Sequence, residues 1–274
     1  MLSISLKSLV DLFRDGLAGW KKRHNPARVQ AQRLLDAFAA HGVAGVQIPR
    51  LLPEGLTLPN AVFADADELK SKLTPALLDW AAAAFALRRG WLDGVDSERH
   101  LRVEGYKQPS IYRAWLEQRA ARTLVGDRVI HVWITSKGPL GPQSTGAVCI
   151  AFEQHFGRLD ERYLSRYWLL SDQWRLDHLP CVVNLMALCA IAADLDIMVI
   201  GHVASQEALT RLDDGELFVP QLLAQSSHRW FPTDLIDPPP GHNSEWRQAL
   251  WREAQVLLQS NGVLRTKMTQ GDRE

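Results

Sequence analysis

The sequence predicts an α+β fold in more than one domain: a small all-α bundle, then an α+β domain, then a C-terminal helix. Three observations lead there. The first hundred residues carry helical spacing and capping signals without a β-rich run. Runs of β-branched and aromatic residues begin only after residue 128. Turn-rich breaks separate the parts, and the sharpest is Pro238-Pro239-Pro240-Gly241. With 274 residues the chain has room for about two domains.

The elements follow in order. Residues 1–25 predict an amphipathic helix: Ile4, Leu6, Leu9, Val10, Phe13, Leu17 and Trp20 recur at near-helical spacing, and Asn25-Pro26 breaks it. Residues 27–41 predict the next helix, with a stripe of Val29, Leu34, Leu35 and Phe38, and Gly42 stops it. Pro49, Pro53 and Pro59 restrict the following stretch to one or two helical turns. A short helix from Asp65 to Leu73 leads to Thr74-Pro75, an N-cap with proline at the first helical position. The alanine-rich segment from Pro75 to about Leu87 is strongly helical. After a polar linker over 95–110, a helix is expected from Ile111 to about Leu124. Val129 to Ile134 and Ala147 to Phe152 predict a strand pair across a Gly-Pro turn. Leu179 to Ala193 predicts a buried helix, and Ile197 to Val203 a strand covered on both faces. Ser205 caps a short helix, and Asn243-Ser244 starts the last one. Domains are therefore expected over 26–95 and 105–237, the second for ligand sensing or association, with 238–274 a helix and polar tail.

Lys+Arg and Asp+Glu both number 31, so the formal net charge is zero and no whole-chain attraction to nucleic acid exists. The three cysteines form no Cys-x-x-Cys pair, and an odd, low count fits a reducing compartment. No apolar run approaches the roughly 20 residues of a membrane span. Asp11 and Asp15 are out of keeping with a secretory leader. A cytoplasmic protein without a membrane partner is the expectation.

Two stretches carry a family resemblance. Leu34-Leu35-Asp36-Ala37-Phe38-Ala39-Ala40-His41-Gly42-Val43-Ala44-Gly45-Val46-Gln47-Ile48-Pro49-Arg50 is similar to a helix, glycine turn and recognition helix. Leu77 to Gly94 looks like a closing helix with an aromatic-leucine ending. Residues 26–95 thus resemble the helix-turn-helix domain of the Xre family, whose fold is of the λ-repressor type. The resemblance implies a bacterial-type transcription regulator binding double-stranded DNA as a homodimer. Gly42 would be the turn glycine, Val43 the buried turn residue and Ile48 the anchor of the recognition helix. Arg28, Arg33 and Arg50 would contact phosphates and Gln47 a base edge. Pro49 and Pro53 shorten the recognition segment relative to the family pattern. The alternative is a protein-interaction adaptor that keeps this fold without touching DNA.

In the second half the densest polar-aromatic run extends from Asp160 to Trp168 and on to His178. Arginines beside aromatic rings clamp planar anions, so Arg166, Tyr167, Trp174, Arg175 and His178 are the candidate ligand-binding residues, for a small anionic ligand. A metal-dependent enzyme is the third reading. His178-Leu179-Pro180-Cys181 has zinc-compatible spacing but no second pair, and Asp127, Glu153 and Lys137 are the nearest nuclease-like set. No phosphate loop, dinucleotide fingerprint or nucleophile elbow is present. The expectation is therefore no catalytic residue, metal or cofactor. His131 and His202 read as hydrogen-bonded core histidines.

Overall fold

The structure, a computed structural model, describes residues 25–121, 126–136, 140–226, 228–241 and 243–264. The helix expected before Asn25 and the polar tail from Thr266 lie outside the described residues. The chain is mixed α+β and divides into two compact units, residues 1–99 and 100–274.

In the first unit α1 (Pro26–Ala40) starts where the Asn25 side chain accepts hydrogen bonds from the backbone of Ala27 and Arg28. It ends at Gly42, whose φ of 73° only glycine adopts without strain. Ala31, Leu34, Ala37 and Phe38 form its buried stripe. After short 3-10 turns and α2 (Ala66–Leu69), α3 (Pro75–Phe85) begins on the Thr74 cap. Its alanines leave room for close approach, and Phe85 meets Phe38 edge-on with centroids 5.2 Å apart. A one-turn helix, α4 (Arg89–Asp93), closes the unit and buries Trp91 and Leu92.

The segment after Gly42 is not an α-helix. It is a six-residue 3-10 helix, Gly45–Arg50, with Pro49 inside it. Proline supplies no N–H and restrains its neighbours, which holds the turn short. Val43 and Ile48 are buried, whereas Val46 is exposed.

The second unit opens with α5 (Pro109–Ala120) and carries, among the described residues, six strands. These are β1 (Arg128–Ile134), β2 (Ala147–Leu159), β3 (Arg162–Leu169), β4 (Trp174–Arg175), β5 (Met198–Val203) and β6 (His228–Trp230). The order is β3-β2-β1-β5-β6, with β4 paired to β2. β1 and β2 are antiparallel, and β1 and β5 parallel. The parallel pair is reached through the buried helix α6 (Leu179–Asp194), as a parallel connection requires. Most of the polar-aromatic run that supplies the candidate ligand residues is β3, entered through Asp160 at φ 55°.

One sheet face is covered by α7 (Gln206–Asp213) and α8 (Val219–Gln225), which enclose Trp133, Cys149, Ala151 and Leu169. On the opposite face Trp115 of α5 packs against Phe152 and Trp168. The last helix, α9 (Glu245–Ser260), was expected as a separate segment but packs along α6 within this unit. Met198 remains more than half exposed, so β5 is not covered over its whole length. No helix among the described residues is long and apolar enough to cross a membrane.

Candidate functional site

A cavity of about 380 Å³ opens in the second unit where α6 begins. That volume falls in the range of small-molecule sites. Three stretches build it: the chain entering α5, the end of β3 through β4, and the first turn of α6. The entering chain is held strand-like against the end of β3, with Val103 N donating to Leu169 O and Leu169 N to Leu101 O. Gly105 then passes close over the Tyr112 ring, where a Cβ would lie 2.8 Å from ring carbons. The buried Tyr112 hydroxyl donates to Leu170 O at 2.5 Å, and burial pushes its pKa up. It is a fixed wall and does not ionise.

At the rim, Arg102 donates to Ser171 O and lies 3.4 Å from the Asp172 carboxylate. Tyr106 and His178 meet through the hydroxyl and Nε2 at 3.0 Å, while the Tyr106 ring lies 5.6 Å from that of Trp174. Burial, and then the neighbouring Cys181 thiol, raise the Tyr106 pKa, so its hydroxyl keeps its proton. The lining thus offers an aromatic wall, a phenol–imidazole pair and a guanidinium already matched by a carboxylate.

Two features hold this shape. Asn184, buried in α6, accepts from Lys107 N at 2.7 Å and donates to Pro180 O at 2.7 Å, tying the α6 start to the entering chain. Lys107 and Gln173 both adopt positive φ, at 60° and 48°. Such conformations in residues other than glycine cost about 1 kcal/mol or more and persist where the surroundings enforce them.

Of the predicted ligand residues, Trp174 and His178 line this cavity. The other three lie elsewhere. Arg166 faces α5 and donates to Gln154 Oε1 at 3.1 and 2.9 Å. Tyr167 is on the opposite sheet face and bonds Glu153. Arg175 is exposed and paired with Asp177. The alternation of β3 sends Arg166 and Tyr167 to opposite faces, so one clamp cannot contain both. Sequence reasoning missed Arg102, Tyr106, Tyr112 and Asn184. The polar stretch over 95–110 read as a linker, and for Asn184 the available signal is an amide interrupting an apolar run.

The residues expected to meet DNA are largely engaged within the first unit. Arg33 donates to the carbonyls of Trp91 and Asp96 and lies 5.3 Å above the Trp91 ring. Arg28 is 3.5 Å from Asp67. Gln47 turns back to accept from Ala44 N at 3.1 Å, capping the 3-10 turn. Arg50 is exposed at the end of that turn.

His131 and His202 form part of a hydrogen-bonded relay under the sheet. His131 Nε2 is 2.7 Å from Glu153 Oε2, and its Nδ1 is 2.9 Å from His202 Nε2. Burial raises the Glu153 pKa, but hydrogen bonds from His131, Ser165 and Tyr167 outweigh it and hold the carboxyl at about 2. With Glu153 ionised, all contacts are satisfied if His131 donates to it and accepts from His202. Asp127 bonds His155 instead of joining Glu153, and Lys137 lies outside the described residues. Among the described residues no three His, Cys, Asp or Glu side chains are placed so that they could hold one metal ion. Burial pushes the Cys189 thiol up to about 12 and the Cys149 thiol higher, which keeps both protonated and unreactive.

No protein-family model, curated protein or solved structure matches the chain.

Proposed function

We propose that the protein is a small-molecule-responsive adaptor: the second unit binds a compact planar ligand, and the first meets a protein partner. The observation that carries this reading is the cavity at the start of α6, with its aromatic wall and its Tyr106–His178 pair. Its ligand differs in charge from the anion that the sequence suggests. Arg102 is matched by Asp172, and Glu104 adds a second carboxylate to the lining. A neutral or zwitterionic aromatic molecule suits that balance better. It would stack against Trp174 and exchange hydrogen bonds with Tyr106 and His178.

A thermal-shift screen of planar aromatic compounds on the full chain tests the proposal, followed by titration of the hits. Affinity should fall about tenfold in His178→Ala and in Tyr106→Phe, the usual loss for one ligand hydrogen bond. Hits indifferent to both changes, or a screen without a hit, would sink it.

A second reading, a dimeric DNA-binding regulator, rests on the resemblance of residues 26–95 and on Arg50, exposed at the end of the 3-10 turn. On that reading Arg50→Ala removes a gel-mobility shift that is steeply salt-dependent. The adaptor reading expects no shift even at low salt. It also carries no catalytic residue, metal or cofactor.

A further inference from the structure

The two faces of the sheet divide its charged groups by sign at the end where β1 begins. Asp127, Glu153, His155 and His131 bond one another around the face that carries Tyr167. On the α5 face, the cross-strand register places Arg128, Gln154 and Arg166 side by side across β1, β2 and β3. The next rung holds Ile130, Phe152 and Trp168, and Trp115 of α5 packs on it. Arg119, one helical turn beyond Trp115, lies over both tryptophans, 3.7 Å from the Trp115 centroid and 4.7 Å from that of Trp168. The Arg166 guanidinium lies over Trp168 as well, at 5.2 Å.

Two guanidiniums therefore lie over one aromatic patch, and Arg128 shares their sheet face one strand beyond Gln154. Arg128 is 4% exposed, and its buried Nε has no hydrogen-bond partner among the described residues. Among the described residues Arg166 hydrogen-bonds the neutral amide of Gln154 and pairs with no carboxylate, and burial lowers its pKa. A guanidinium held away from water without a counter-charge is strongly unfavourable. The neighbouring acids cannot supply one, because Glu153 and Asp127 are committed to the opposite face. A polyanionic oxygen cluster can: forked N–H donors match the oxygens of a phosphate two at a time, and a dianion answers more than one arginine.

We propose that Arg128, Arg166 and Arg119 form a phosphate-binding site, distinct from the cavity at α6, which takes inorganic phosphate or the phosphate of a small ester. Arg128 is its floor, and the half-buried Arg166 and Arg119 are its lip. The tryptophan faces hold the two lip guanidiniums in place before the ligand arrives.

Calorimetric titration of the full chain with inorganic phosphate and with phenyl phosphate, at matched ionic strength in chloride, tests this. Both anions should bind to wild type. Arg166→Gln should weaken them at least tenfold, while Arg175→Gln, outside the site, leaves them unchanged. Tighter binding of phenyl phosphate supports the site as one for an ester whose aromatic body meets Trp168. Equal binding supports it as one for the free ion. If Arg166→Gln does not fold, as judged by circular dichroism, Arg119→Gln is scored by the same criterion. Absence of binding to wild type overturns the proposal, and so does equal weakening by the site variant and Arg175→Gln.

Discussion

Mild acid acts on the second unit through His202 before it acts through Glu153. His202 is 7% exposed. Burial first, and then the neighbouring His131 and Arg229, lower its pKa from 6.5 to about 4, against a smaller upward pull from Glu153. The unfolded chain takes up this proton near pH 6.5, the folded chain only near pH 4. Stability is therefore intact above pH 6.5 and declines as pH falls through the window between the two values. The slope is about 1.4 kcal/mol per pH unit, an upper bound of about 3 kcal/mol over the window. Glu153 acts later. Its folded pKa of about 2 lies below its ordinary 4.5, so its contribution is complete above pH 4.5 and drains away only between there and pH 2. In the first unit, burial against Phe85 lowers His41 to about 4 despite its bond to Ala37 O, and this adds a slope of the same sign. A comparison with His202→Gln removes that background. Urea unfolding followed by tryptophan fluorescence at pH 7.5, 6.5, 5.5 and 5.0 should show wild type losing up to about 2 kcal/mol more than the variant between pH 6.5 and 5.0. The variant starts from a lower baseline because it loses a bond to His131, but its slope is shallower. Equal slopes in the two proteins would refute a neutral, buried His202.

Tyr112→Phe removes the hydroxyl that donates to Leu170 O, which should cost about 1–2 kcal/mol and lower the Tm of the second unit by roughly 2–6 °C in calorimetry. An unchanged Tm would mean that the bond contributes nothing to the cavity wall. Gly201→Ala places a Cβ 2.5 Å from the Trp230 ring, which packs over the β5 backbone, so about 1–3 kcal/mol of destabilisation and faster amide exchange along β6 are expected. Unaltered exchange would show that Trp230 moves aside freely. Arg33→Ala should destabilise the first unit by about 1–3 kcal/mol in chemical denaturation, because it removes a donor from the Trp91 and Asp96 carbonyls and one of the two cations, with Arg99, that stack on Trp91. Unchanged stability together with a lost DNA mobility shift would instead assign Arg33 to phosphate contact.

Elements whose signal lies in a continuous stretch were legible in the sequence. Thr74-Pro75 marks the start of α3 because the cap and the fixed proline φ are local chemistry. The apolar run from Leu179 marks α6 because a helix buried all round needs no polar face. β3 was obscured because its charged and aromatic residues mimic a binding loop. Its alternation was nevertheless present: Leu164 and Trp168 are buried beside Gln154-bound Arg166, while Tyr163, Ser165 and Tyr167 face the other way. The turn before it also lacks the usual glycine, since Asp160 takes the left-handed conformation itself.

The cavity was illegible for a different reason. Tyr106, Trp174 and Asn184 lie on three separated stretches, and only the pairing of the entering chain with Leu169 and the Lys107–Asn184 bond bring them together. The arginine cluster repeats the lesson with a sharper rule. Arg119, Arg128 and Arg166 lie on a helix and two different strands, and no spacing in the chain connects them. What connects them is sheet parity. Along β2, Glu153 and Gln154 are neighbours in sequence yet belong to opposite faces, so the carboxylate next to Arg128 in register number is withheld from it and the amide is supplied instead. Exchanging those two residues would give Arg128 and Arg166 an internal counter-ion and leave His131 with a neutral amide in place of its carboxylate acceptor. A double variant Glu153→Gln, Gln154→Glu should therefore abolish phosphate binding on one face and release the His131–His202 pair on the other, two outcomes that a merely structural pairing of Arg166 with Gln154 would not couple.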